Sequence, residues 1–264
     1  MRWWAWTNVG ATMAVFAGTL AVLVRTARRE GRVTRELGLF VGALSIGWME
    51  AVLCWGAYLY YSPTWPHFPT GWPIVRLIPI LPLHIPLAYT WFFFGGAWLA
   101  VRLAARIHGR RPSWSEVPLL LTTGAAVGFI FGAVVENIYI PLSGLWTYTQ
   151  TWAPLTLRAG SDSQWPVYMD LAMAAAIAPF TYFLGRSSPA SRSRPAVRTL
   201  ASWVVLCHVV YGTVSFGYVV LRWTGLQTSV STVQPYPDER PLYDHDVTRP
   251  DDPAVNREPI RKAR

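Results

Sequence analysis

The chain has 264 residues, of which 52% are hydrophobic and only 14% charged, and its mean hydropathy is +0.26. This balance excludes an ordinary soluble domain and points to repeated membrane crossings, in keeping with 15 tryptophans, because indole rings collect at bilayer interfaces. The formal charge of +9 does not indicate a nucleic-acid partner, since the arginines stand between apolar segments as topology signals and the sole lysine is Lys262.

The first apolar segment covers residues 3–24 and is followed by Arg25, Arg28, Arg29, Arg32 and Arg35. It is too long for a signal peptide and has only Arg2 ahead of it, so it reads as a retained span. The second covers residues 37–61. The linker after it is rich in proline and tryptophan, holds only Arg76, and reads as an irregular lid or interfacial loop, with residues 74–85 as a candidate re-entrant segment. The third segment, residues 84–104, ends among Arg102, Arg106, Arg110 and Arg111. The fourth, residues 117–140, leads to a linker holding only Arg158. The fifth, residues 166–184, is followed by Arg186, Arg192, Arg194 and Arg198, and the sixth covers residues 199–221.

The linkers therefore alternate between arginine-rich and arginine-poor. The positive-inside rule assigns the rich ones to the cytoplasm and both termini to the outside of the cytoplasmic membrane. The fold class is all-α, a polytopic bundle of six spans over residues 1–222. Residues 223–264, rich in proline and in charges of both signs, read as a disordered tail. Asp244, Asp246, Asp251 and Asp252 in that tail resemble a loose ligand cluster but read as a solvated arm. Cys54 and Cys207 lie within apolar segments and form no disulfide framework and no metal motif. No cofactor motif and no internal repeat is present, so no cofactor and no metal are expected.

Within the fourth segment Gly124, Gly128, Gly132 and Glu136 recur every four residues. The glycines let a neighbouring helix approach closely, and the same face then presents a carboxylate beside Asn137. Pro141 is expected to end or kink this helix, and Trp146 and Tyr148 to anchor it at the interface. Three acids fall inside the spans, Glu50, Glu136 and Asp170, all placed in the outer half of the bilayer by a rise of about 1.5 Å per residue. Intramembrane acids are costly and mark function by default. His84 joins the same layer and His208 lies near the middle of segment six. Helical spacing sets Glu50, Cys54, Tyr58 and Tyr61 on one face, His208, Tyr211, Ser215 and Tyr218 on another, and Asn8 with Thr12 on a third.

These polar stripes are expected to converge on one cavity open to the outer leaflet, because none faces lipid cheaply. The candidate catalytic residues are Glu50, Glu136, Asp170 and His208, and the candidate substrate-binding residues Asn137, Tyr58, Tyr148, Tyr168 and Tyr211. Two carboxyl groups in unlike surroundings suit acid–base chemistry on an amphiphilic guest without a redox cofactor. Competing roles are helix packing for Glu136 and Asn137, a favourable charge at a helix N-terminus for Asp170, and a hydrogen-bonded packing role for His208.

Three patches carry a family resemblance: Gly47-Trp48-Met49-Glu50 followed by Tyr58, Tyr60 and Tyr61; Val135-Glu136-Asn137 followed by Trp146 and Tyr148; and Gln164-Trp165-Pro166-Val167-Tyr168 leading to Asp170. In this order the chain resembles the AveC-like spirocyclase family of actinobacterial membrane proteins over most of residues 37–185. The resemblance implies a membrane enzyme of polyketide-type secondary metabolism that dehydrates a dihydroxy ketone and closes it to a spiroketal. The acids of the three patches are then its candidate catalytic groups. In that reading Glu136 or Glu50 donates a proton and Asp170, or the other glutamate, accepts one. The partners expected are the bilayer and a small lipid-like substrate. The alternatives are a carotenoid or isoprenoid hydratase or cyclase, a proton-coupled transporter built on the same acids and His208, and a non-enzymatic membrane assembly factor.

Overall fold

The computed structural model describes residues 3–69, 78, 80–161, 163–186 and 195–231. Among the described residues, six helical segments are long and apolar enough to cross a bilayer: Trp3–Glu30, Arg35–Ala57, Ile85–Arg110, Glu116–Ser143, Val167–Gly185 and Ala196–Trp223. The chain is thus the all-α, multi-pass membrane bundle that its composition predicts.

Three of the six are continuous helices: α1 (Trp3–Glu30), α8 (Val167–Gly185) and α9 (Ala196–Trp223). The other three are interrupted, each in the part that approaches the arginine-poor end. The second runs as α2 (Arg35–Ser45), a 3-10 turn at Gly47–Met49, and α3 (Glu50–Ala57). Thr34 caps α2 by accepting from the Leu37 N–H at 3.2 Å. The third runs as α4 (Ile85–Tyr89), a π turn at Thr90–Phe94, and α5 (Gly95–Arg110). The fourth runs as α6 (Glu116–Val134), a π turn at Val135–Tyr139, and α7 (Ile140–Ser143). Such wide turns occur mostly as single inserted turns and often at functional sites.

The glycine stripe does what its spacing predicts. A Cβ on Gly128 would lie 2.6 Å from the Met173 carbonyl oxygen and 2.8 Å from the Ala174 Cα, so α6 and α8 meet backbone to backbone. Span two approaches α9 as closely: a Cβ on Gly42 would lie 2.8 Å from the Trp203 carbonyl oxygen. Between these two helix pairs lies the apolar core, with Phe40, Phe93, Phe180, Ile177 and Ala97 fully buried.

At the arginine-poor end the described residues of the linkers form three two-stranded antiparallel ladders. β1 (Leu59–Tyr61) pairs with β2 (Trp146–Tyr148), β3 (Gln150–Thr151) with β6 (Ser229–Val230), and β4 (Thr156–Leu157) with β5 (Trp165–Pro166).

This corrects three sequence expectations. Span two does not continue to residue 61: Tyr58 takes a left-handed conformation (φ 51°) that ends α3, and Tyr61 stands on a strand. The tail does not begin as a loose arm after residue 222. α9 runs to Trp223, β6 returns to pair with β3, and the Ser231 N–H donates to the Thr149 carbonyl at 3.0 Å. Pro141 does not end span four, since helical backbone continues through it to Ser143. The four tail aspartates and Arg76 lie outside the described residues, as do residues 74–77 and 79 of the candidate re-entrant segment. The remainder of that linker packs inward: Trp65, Ile80 and Leu81 are buried, and the Phe68 N–H donates to the Leu81 carbonyl at 3.0 Å.

Candidate active site

Glu50 opens α3, directly after the 3-10 turn, and is buried. Its Oε1 accepts from the Tyr61 hydroxyl and from Cys54 Sγ at 3.2 Å. Its Oε2 accepts from the Tyr89 hydroxyl and from that of Tyr211 at 3.1 Å, and the last two hydroxyls also touch each other. One carboxylate thereby gathers donors from α3, β1, α4 and α9. A buried carboxyl group demands such a shell, and here side chains of the protein supply it.

Glu136 lies inside the π turn of span four and is also buried. Its Oε1 accepts from the Tyr148 hydroxyl at 2.7 Å. Asp170, in the first turn of α8, is fully buried, and neither of its oxygens has a hydrogen-bond partner among the described residues. It is therefore not a helix-capping aspartate. Its carboxyl group rests on Gly132, one turn before Glu136: a Cβ there would lie 2.7 Å from Asp170 Oδ1. Gly132 thereby sets Asp170 one helical turn from Glu136 on the same face of span four.

The β1–β2 ladder joins the two groups. Leu59 faces Tyr148 and Tyr61 faces Trp146, so Tyr61 and Tyr148 are diagonal neighbours on one face of the pair. One hydroxyl reaches Glu50 and the other Glu136. Burial above all, then the adjacent carboxylate, pushes both phenols well above their ordinary range, so both remain hydrogen donors at any physiological pH.

The other sequence candidates have separate surroundings. Tyr211 belongs to the Glu50 shell. Tyr168 accepts from the Trp152 N–H at 3.4 Å and packs its ring 5.8 Å from that of Tyr218. Tyr58 stacks under the Arg222 guanidinium, 4.0 Å from its ring centroid, and accepts from the Thr149 N–H through its carbonyl. Asn137 donates to the Ala133 carbonyl of its own helix at 2.9 Å. His208 is held at both nitrogens: the Trp48 indole donates to Nε2 at 3.2 Å and Nδ1 bonds the Val204 carbonyl at 2.9 Å. Neither of these bonds involves one of the three acids. His84, fully covered, stacks on Trp65 with ring centroids 5.0 Å apart.

Comparison with known proteins gives the family of the chain. A family model described as "Spirocyclase AveC-like" matches residues 30–243. The chain belongs to the AveC-like spirocyclase family. The matched range covers all three acids and runs beyond the patches that first suggested the family, taking in the Arg35 end of span two and the β3–β6 pairing. No curated protein and no solved structure matches the chain.

One member of the Glu50 shell is absent from the sequence analysis: Tyr89 sits alone before a run of aromatics, with no periodic signal to single it out. Tyr61 keeps its expected neighbour Glu50 but does not share a helical face with it, reaching it from a strand paired with a segment 85 residues further along the chain.

Proposed function

We propose that the protein is a membrane-embedded acid–base enzyme that closes a hydroxylated, polyketide-type ketone to a cyclic ketal, with Glu136 and Asp170 as the reacting pair. The observation that carries this reading is Asp170: a fully buried carboxyl group with two unpartnered oxygens, beside a second carboxyl group that holds one tyrosine hydroxyl. Buried acceptors of this kind are costly unless a guest supplies donors, and a substrate hydroxyl does so. Asp170 takes the proton of the attacking hydroxyl as its oxygen bonds to the carbonyl carbon. The carbonyl π pair moves to its oxygen, which takes the proton of Glu136. Asp170 then gives its proton to that oxygen, which leaves as water, and Glu136 takes the proton of the second hydroxyl as it bonds to the same carbon, so the second ring closes and both carboxyl groups regain their starting states. Holding the chain folded in an apolar site supplies the orientation that ring closure needs and keeps bulk water away.

Glu50 has a different part. All of its donors are protein groups from several elements, so it ties the interrupted spans together and offers a guest little access.

The test is turnover of a synthetic ketone that carries a hydroxyl three carbons to either side of the carbonyl, by protein purified in nanodiscs. Spiroketal should form, and Asp170→Asn and Glu136→Gln should each slow it by about 10²–10⁴-fold. Release of the unchanged diol ketone, or full activity in both variants, overturns the reading.

A further inference from the structure

Asp170 is not alone in lacking partners. The indole N–H groups of Trp146 and Trp165 are buried and have no hydrogen-bond partner among the described residues. Their positions are not independent of the acids. Trp146 stands on β2 two residues before Tyr148, so both side chains leave the same face, and the Tyr148 hydroxyl holds Glu136. The ring of Trp146 packs edge-on against Tyr61, 5.8 Å between centroids, which fixes the plane of the indole. Trp165 stands on β5 and immediately precedes Pro166, the residue that caps α8, so it enters the site from the segment that delivers Asp170. The Trp146 N–H comes close to Glu136 and the Trp165 N–H close to Asp170, yet neither reaches hydrogen-bond geometry.

The two sets of orphans are complementary. An indole is a donor only and an ionised carboxylate an acceptor only. Leaving either unpaired in an apolar interior is expensive, so the pattern calls for a guest with an acceptor oxygen at one place and a hydroxyl at the next. We infer that Trp146 and Trp165 are the carbonyl-holding residues of this site, their two N–H groups gripping the ketone oxygen while Asp170 accepts from the attacking hydroxyl. This assignment rests on the acid–base reading proposed above and gives it a part the carboxyl groups do not supply. When the hydroxyl adds, negative charge gathers on the former carbonyl oxygen. Rigid donors held beside the two carboxyl groups stabilise that charge before Glu136 delivers its proton, and one such donor is worth about 10²–10³ in rate. Rigidity comes from the ladders, which set both indoles on paired strands.

The experiment reads the bond itself. A long-chain ketone without hydroxyls, labelled with ¹³C at the carbonyl, is bound to the protein in nanodiscs and its carbonyl stretch recorded by infrared difference spectroscopy. In the wild-type protein the stretch should lie below its position in empty nanodiscs. Trp146→Phe and Trp165→Phe should each return part of that displacement and the double variant all of it. On the diol ketone each single variant should lower kcat by about 10²–10³-fold with little change in KM. Incorporation of the sulfur isostere benzothienylalanine at either position keeps the ring shape and removes the N–H, so a variant that fails to fold as phenylalanine is still tested. A bound ketone whose stretch is the same in all proteins overturns the assignment and leaves the indoles serving only the carboxyl groups, while loss of turnover in Asp170→Asn would still uphold the acid–base reading. A wild-type protein that neither binds the ketone nor turns over the diol overturns both.

Discussion

At the scale of single residues, space and protons are controlled by a few side chains whose surroundings allow no substitute. Gly132 is one. Its missing Cβ is the space into which the Asp170 carboxyl fits, at 2.7 Å from where that atom would be. Gly132→Ala should therefore displace Asp170 and not merely loosen the bundle, lowering cyclisation by at least ten-fold while the protein still purifies as a monodisperse species. Unchanged turnover would mean that Asp170 is free to move. His84 is another. Burial against Trp65 lowers its pKa from 6.5 to about 4, so the folded protein holds it neutral while the unfolded chain binds a proton more readily. The unfolded state thus carries more protons between about pH 4 and pH 6.5, and stability must fall as pH drops through that window, by up to about 3 kcal/mol in all. Comparing thermal unfolding of the wild type and His84→Phe in detergent at pH 7 and pH 5 isolates this contribution: the wild type should lose more stability on acidification than the variant, and equal losses would place the pH sensitivity elsewhere.

At the scale of elements, the two close helix pairs and the three interruptions make the site. Backbone contact between α6 and α8 at Gly128 leaves no flexible atom to yield, since the nearest neighbours are a carbonyl oxygen and a Cα. Gly128→Val should abolish the folded, detergent-stable protein, whereas Gly10→Ala on α1, with nothing within 4 Å, should be silent in yield and in size-exclusion profile. The contrast between these positions also marks how far the sequence could be read. The four-residue glycine spacing, its continuation to Glu136 and the apolar lengths of the spans are local patterns, and they located the α6 face and the carboxyl group on it. The partner of that face, Asp170, was visible only as an acid near a helix start. The meeting of residues 59–61 with 146–148 was not visible at all, because short ladders between distant linkers leave no periodicity to find. The same limit explains Tyr58 and Tyr61. A helical period was extended through a turn whose left-handed residue is a tyrosine, where no glycine announced the stop. His208 and Asn137 show the converse: polar residues within spans that satisfy themselves on nearby backbone, which a pattern of types cannot separate from residues aimed at a guest.

At the scale of the whole molecule, the acids and ladders all lie at the end where the arginine-poor linkers meet, while Arg28, Arg29, Arg102, Arg106, Arg110 and Arg111 gather at the other. If the charge asymmetry sets orientation, the site opens away from the cytoplasm, and a substrate made inside must first enter or cross the bilayer. That consequence is testable without knowing the substrate. Both native cysteines, Cys54 and Cys207, are buried, so they give little background to a thiol reagent. Ser163, exposed beside β5, and Ser113, exposed in the turn between α5 and α6, mark the two ends. In intact cells a membrane-impermeant maleimide should label Ser163→Cys and leave Ser113→Cys unlabelled until the membrane is permeabilised. The reverse pattern would turn the site toward the cytoplasm and let a soluble biosynthetic product reach Asp170 and Glu136 directly. Labelling of both positions in intact cells would show a mixed orientation, and the arginine count would then not govern this bundle.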